Sequence, residues 1–222
     1  ECKIDLLPQA FSVLSNMPDR ERRKTAINSA MDKLVDKEKG IIKLFSPPFN
    51  GFCDPGYIKG YQPGVRENGG QYTHAAVWLA QALILEGRAD EGYELIKMLS
   101  PAFHSLDPAY KLEPYYMAAD IYASPSAYGR GGWSIYTGAA GWYYKTILMF
   151  LLGIVPRDGF VEIHPNLPSH WDGFTANMEY YGTSLQITVK KGEKYLLLVD
   201  GNAHNAVALD NQPHTVELTI SH

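Results

Sequence analysis

The sequence predicts a mainly helical region followed by a smaller antiparallel β-domain, and three observations carry that expectation. Apolar residues recur at helical spacing through much of residues 1–155. The helical stretches are joined alternately by short turns and by long loops rich in glycine and proline. After Gly153 the hydrophobic period drops from about 3.6 residues to about 2, the change expected where helices give way to half-buried strands. A run of helices followed by a run of strands argues for two domains, 1–155 and 156–222.

Each element has its own signal. Asp19 is a suitable N-cap for a helix over about 19–37, with Ala26, Ile27, Ala30, Met31, Leu34 and Val35 on its apolar face and Gly40 closing it. Residues 45–70 hold too many breakers for a helix and form a long irregular loop, the kind of segment that usually carries function. Helical patterning returns over 72–85, stops at Gly87, resumes over 89–99 and is expected again over 114–122. A second breaker-rich loop, 123–138, precedes an apolar helix over 139–152. Strands are expected at 160–163, 174–181, 185–189, 195–199 and 216–220, with turns at Lys190-Lys191-Gly192-Glu193 and Asp200-Gly201-Asn202. Short connections at one end and long loops at the other give the rhythm of an α/α toroid. The alternative, a solenoid of helix pairs, finds no internal repeat to support it.

Composition narrows the function. Hydrophobic residues make up 45% and charged residues 20%, so the chain can bury a core, and a net charge of −4 with no basic block gives nucleic-acid binding no electrostatic support. Cys2 and Cys53 are the only cysteines; lacking Cys-x-x-Cys or ligand-spaced histidines, they read as free buried thiols in a reducing, cytoplasmic compartment, with no metal site. The longest apolar run, Thr146 to Val155, is too short to cross a bilayer, although a larger parent protein could be anchored in the inner membrane. The opening residues lead at once into a helical pattern without a start methionine, as expected for a chain that begins inside a domain. Fifteen tyrosines and four tryptophans, many between Phe45 and Trp142, suit sugar rings, which offer an apolar face and a rim of hydroxyls; singly, each suits a core equally well.

The two loops carry the candidate chemistry. Arg66-Glu67-Asn68-Gly69-Gly70 leads to His74 at the start of the next helix, where free backbone N–H groups and the helix dipole attract anions. His74 reads either as a donor to a bound phosphate or sulfate or as a core histidine on a backbone carbonyl. Tyr136-Thr137-Gly138 stands at a second helix start, with Thr137 the expected N-cap and Gly138 leaving the backbone N–H accessible; alone it reads as a capped helix at a tight packing point. Glu67 and Glu113, both near aromatics, are candidates for proton transfer. Glu113 is equally suited to pair with Arg130, and Glu67 to bind sugar hydroxyls or hold its loop.

At these loops the sequence resembles glycoside hydrolase family 94, the inverting glycoside phosphorylases together with the phosphorylase-like C-terminal part of cyclic β-1,2-glucan synthases. The segments that carry the likeness are Glu1-Cys2-Lys3-Ile4-Asp5 to Ser15, Pro47-Pro48-Phe49, Asp54-Pro55-Gly56-Tyr57-Ile58-Lys59-Gly60-Tyr61, Arg66 to His74, Glu113-Pro114-Tyr115, Gly129-Arg130-Gly131-Gly132-Trp133 and Tyr136 to Trp142. The 54–61 and 129–133 segments look more like the β-1,2-glucan branch than the cellobiose branch.

The resemblance implies the second half of an (α/α)6 barrel followed by a jelly-roll-like antiparallel β-domain. It implies that His74, Thr137 and Gly138 bind inorganic phosphate, a co-substrate, with no further cofactor, that Tyr61 and Arg66 face the acceptor sugar of a β-linked glucan, and that Glu67 is a further substrate-binding residue. Cellobiose-type members commonly carry Lys where this chain has Arg66. Phosphate would attack the anomeric carbon while an Asp protonates the glycosidic oxygen, inverting the centre, so one carboxylic acid suffices. That Asp belongs to a family segment upstream of this chain, and Asp5 does not match it. The expectation is therefore a C-terminal part of a larger enzyme, inactive by itself, whose apolar helix faces need the missing N-terminal part or a second copy, as in a homodimer, to cover them.

Overall fold

The computed structural model describes residues 1–221, which pack as two compact units divided between Ile147 and Leu148. In the first unit β1 (Ile4–Asp5) leads into α1 (Leu6–Leu14), capped by the Asp5 carboxylate, which accepts from the Leu7 N–H at 2.8 Å. α2 (Arg20–Leu34) starts as its sequence predicts, with the Asp19 carboxylate accepting from the Arg22 N–H at 3.0 Å, and buries Ile27, Ala30 and Leu34. It ends three residues earlier than expected, because Val35–Asp36 becomes β2 and pairs with β3 (Ile41–Ile42) across the Gly40 turn. β4 (Phe45–Ser46) pairs back with β1, and the loop that follows holds only a 3₁₀ turn at Gly56–Gly60.

β5 (Gln71–Tyr72) opens directly into α3 (Thr73–Leu85), the most buried helix of the unit: ten of its residues from Thr73 to Ile84 are inaccessible. An apolar surface on all sides is what a helix needs to sit within packed helices. α1, α4 (Ala89–Leu99) and α6 (Thr137–Lys145) all pack on it. α5 (Pro101–His104) is a single turn, and α6 passes into a π-helical turn over Thr146–Leu151. The stretch 114–122 is not a helix: it holds a turn and then β6 (Asp120–Ile121), which pairs antiparallel with β5 and is bridged on its other side by Gly131. Pro114 removes a donor and the ladder partners on both sides supply the hydrogen bonds, so tertiary pairing overrides local helical pattern.

The second unit is built from two sheets. One is three-stranded, in the order β13 (Val207–Ala208), β8 (Phe160–Ile163), β7 (Ile154–Pro156). The other is five-stranded: β12 (Asn202–Ala203), β11 (Leu196–Val199), β14 (His214–Ser221), β10 (Thr183–Gly192), β9 (Gly173–Tyr180). Both sheets contribute to one core, with Ile154, Val161, Ile163 and Val207 from the first and Leu185, Ile187, Val189, Val216 and Leu218 from the second. β10 alternates buried and exposed residues along its length, which is the period-2 signal seen in the sequence. The expected all-antiparallel domain is corrected at its centre: β10 runs parallel to β14 from Leu185↔His214 to Gly192↔Ser221. The predicted turn at 190–193 is likewise absorbed, because β10 extends through Gly192 once β9 and β14 flank it. Cys2 and Cys53 are free, but Cys53 is exposed and Cys2 only partly covered, so the expectation of buried thiols fails for a loop cysteine beside an open glycine-rich turn.

Candidate functional site

The tip of the first loop is a tight turn closed by the Asn68 N–H donating to the Val65 carbonyl at 3.0 Å. Its first central residue, Arg66, has φ of 50°, a left-handed conformation that costs a non-glycine residue about 1–2 kcal/mol. The loop is held there by Asn68, which is fully buried. Its side-chain amide donates to the carbonyls of Phe49 (2.9 Å) and Tyr61 (2.8 Å), and its oxygen accepts from the Phe49 N–H (2.8 Å). Gly64 then binds the second loop, with the Ala123 N–H donating to its carbonyl at 2.7 Å; a Cβ at Gly64 would come within 2.4 Å of the Ser124 nitrogen.

This turn throws Arg66 between two aromatic rings. Its guanidinium carbon lies 4.7 Å from the centroid of Trp133 and 5.5 Å from that of Tyr61, and its Nε stands 3.6 Å from Glu67 Oε2. The three residues expected to bind substrate, Tyr61, Arg66 and Glu67, are thus neighbours, and Trp133 joins them from the second loop. Trp133 in turn meets Tyr136 edge to face at 5.2 Å, and Tyr57 meets Tyr61 at 6.4 Å. These rings are open to solvent: Tyr57 is 73%, Trp133 46% and Tyr136 49% exposed.

Beneath Trp133 lies a residue that sequence reasoning missed. Asp120, on β6, is 1% exposed, and its Oδ1 accepts from the Trp133 N–H at 3.2 Å. Burial pushes its carboxyl above the usual range, and the Arg66 charge partly offsets that. The available signal was an acid set between Ala119 and Ile121 in an otherwise apolar run.

His74 occupies the first turn of α3, half-buried, edge to face with Tyr72 at 4.6 Å and with Trp78 at 4.9 Å. Burial lowers its pKa, so the imidazole is neutral near pH 7 and interacts through an N–H donor or a lone pair. Trp78 also packs on Trp142 of α6 at 5.3 Å, and Thr146 meets Gln81 at 3.5 Å. The contacts advance together along both helices, from 78 with 142 to 81 with 146, so α3 and α6 run parallel and their N-termini share one end. His74 and Gly138 each lie four residues, about one turn or 6 Å, before the Trp78–Trp142 contact. The cap expectation is corrected here: Tyr136 is the N-cap, Thr137 is the first helical residue, and among the described residues no side chain caps the helix start. Thr137 and Gly138 are exposed, and a Cβ on Gly138 would meet nothing within 4 Å.

The remaining candidate stands apart. Glu113 is exposed in a turn, and among the described residues its carboxylate pairs neither with Arg130 nor with any other cation. No cluster of metal-ligating side chains occurs among the described residues, and no helix there is long and apolar enough to cross a membrane.

The chain is similar to the cyclic β-(1,2)-glucan synthase NdvB of Rhizobium meliloti, 45% identical over 221 residues that cover 94% of this chain and 8% of that protein. It is similar to the solabiose phosphorylase of Paenibacillus borealis (26% identical; 99% of this chain, 30% of the relative). The 1,2-β-oligoglucan phosphorylase of Listeria innocua is 23% identical (90% of this chain, 20% of the relative). The chain therefore spans less than a third of the length of each. Residues 154–216 match the C-terminal domain of glycosyl hydrolase family 65. Residues 1–153, which hold every site residue above, match the catalytic domain of the glycosyl hydrolase 94 superfamily, and the chain belongs to that family.

Proposed function

We propose that this chain supplies the phosphate-side and acceptor-side loops of an inverting phosphorylase that acts on β-linked glucans, with β-1,2-glucan the favoured class. The carrying observation is the shared end of α3 and α6, where a neutral histidine and an uncapped, open helix N-terminus stand one turn from the same tryptophan pair. A neutral His74 N–H together with the free first-turn N–H groups at Thr137 and Gly138 suits a phosphate dianion, because donors aligned with a helix dipole stabilise an anion without a counter-charge. On the acceptor side, Arg66 and Glu67 offer hydrogen bonds to sugar hydroxyls, and the half-buried Tyr61 ring and the open Trp133 ring suit a pyranose face. Phosphate oxygen attacks the anomeric carbon, the glycosidic bond breaks, and an aspartic acid outside this chain gives its proton to the departing oxygen. The products are an α-glucose 1-phosphate and a shortened glucan. The barrel half and jelly-roll-type β-domain of the family are the scaffold this reading assumes.

The test uses the full-length protein with β-1,2-glucooligosaccharide. Release of glucose 1-phosphate that depends on inorganic phosphate is expected, and His74→Ala should raise the KM for phosphate at least about tenfold, the loss of a charge-assisted hydrogen bond. Hydrolysis at a rate indifferent to phosphate would sink the proposal.

A further inference from the structure

Three buried polar atoms around the acceptor-side cluster have no hydrogen-bond partner: Arg66 Nε, Glu67 Oε2 and Asp120 Oδ2. Orphaned buried groups cost about 1–3 kcal/mol each, so three in one cluster call for an explanation. Two carboxylates here face one cation. Glu67 Oε2 stands 3.6 Å from Arg66 Nε, beyond hydrogen-bond reach, and the guanidinium rests instead on the Trp133 ring. Trp133 is where Asp120 acts, since Asp120 Oδ1 accepts its backbone N–H and the Asp120 carbonyl accepts the N–H of Gly132. On the far side of the strand, Tyr72 pairs with Asp120 in the ladder that leads into α3. Gly132 fits the same picture: a Cβ there would lie 2.4 Å from Asp120 Oδ2 and 2.5 Å from Oδ1, so only glycine lets the carboxylate reach up beside the tryptophan.

We infer that Asp120 is a positioning residue for acceptor-sugar binding: its buried carboxylate sets the backbone that carries Trp133, and with Glu67 it fixes where the Arg66 guanidinium lies. A side chain serving only to cap the Trp133 N–H needs no charge, and an asparagine would do it without a buried anion. The anion belongs there because it faces a cation whose place over Trp133 has to be held. The inference rests on the acceptor-side reading of Arg66 above.

The full-length protein tests it through binding, measured by calorimetry with β-1,2-linked glucotriose, and through kinetics. Asp120→Asn keeps the acceptor for the Trp133 N–H and removes the charge. It is expected to weaken glucotriose binding about tenfold, the worth of a charged hydrogen-bonding partner, while the KM for phosphate and the Tm stay unchanged. Gly132→Ala, which crowds the carboxylate without altering any charge, is expected to give the same split between sugar and phosphate. Unchanged sugar affinity in folded Asp120→Asn protein overturns the inference, as does an equal loss for sugar and phosphate. Should the wild type bind glucotriose but show no phosphate-dependent turnover, the functional proposal falls, and the binding arm still decides the role of Asp120.

Discussion

Single residues carry the cost of holding the two loops in place. Asn68 was read from the sequence as one polar group in a candidate motif, yet every polar atom of its side chain is spent on Phe49 and Tyr61. It is a buried staple that keeps Arg66 in its left-handed turn. Asn68→Ala should destabilise the chain by about 3 kcal/mol, the sum of three lost hydrogen bonds to partly buried backbone groups of Phe49 and Tyr61. Urea unfolding measures this; a loss under about 1 kcal/mol would show that water takes over those groups. The sequence shows which residue types cluster at the loop tip but not which face the ligand, because an amide that binds sugar and one that binds backbone look alike until the loop closes.

At the level of elements, α5 and the loop after it create an acid-sensitive point. His104 is 6% exposed, stacks on Tyr110 at 5.3 Å, and is held by burial down to a pKa of about 4. Folded, it stays neutral where the unfolded chain, with an ordinary imidazole value of about 6.5, takes up a proton. Its contribution to stability is therefore complete above about pH 6.5 and is lost as pH falls from there towards about 4. Between pH 7 and pH 4.5 the chain should lose ~2–3 kcal/mol more than a His104→Phe variant, which keeps the ring packing and removes the proton site. Parallel losses in both proteins would reassign that sensitivity to other groups. The same scale shows why 114–122 misled: its apolar spacing is helical, but Asp120–Ile121 is claimed by Gln71–Tyr72 on one side and Gly131 on the other. That pairing brings the first loop, the second loop and the start of α3 together, and it is invisible to any local window.

For the whole molecule, what remains uncovered is informative. Leu106 is 82%, Leu85 47%, Phe103 44% and Phe11 45% exposed, large apolar side chains of the first unit open to solvent. The chain by itself is expected to associate at micromolar concentration, seen as a mass above one copy by light scattering, and to release no glucose 1-phosphate under conditions where the full-length protein does. A monodisperse monomer that turns over oligosaccharide would refute both expectations.

The sequence by itself determined the division into helices and strands, the starts of α2 and α3, and the residues Tyr61, Arg66, Glu67, His74, Thr137 and Gly138 as candidates. The elements follow from periodicity, caps and breakers, which are local and written along the chain, whereas Tyr61 and the ligand roles of the other candidates came with the resemblance to the family at the two loops. Tertiary structure alone decided that α3 and α6 run parallel, that β10 pairs parallel with β14, and that Asp120 lies under Trp133. Each of these joins residues far apart in the chain, where burial and pairing, not local preference, set the outcome.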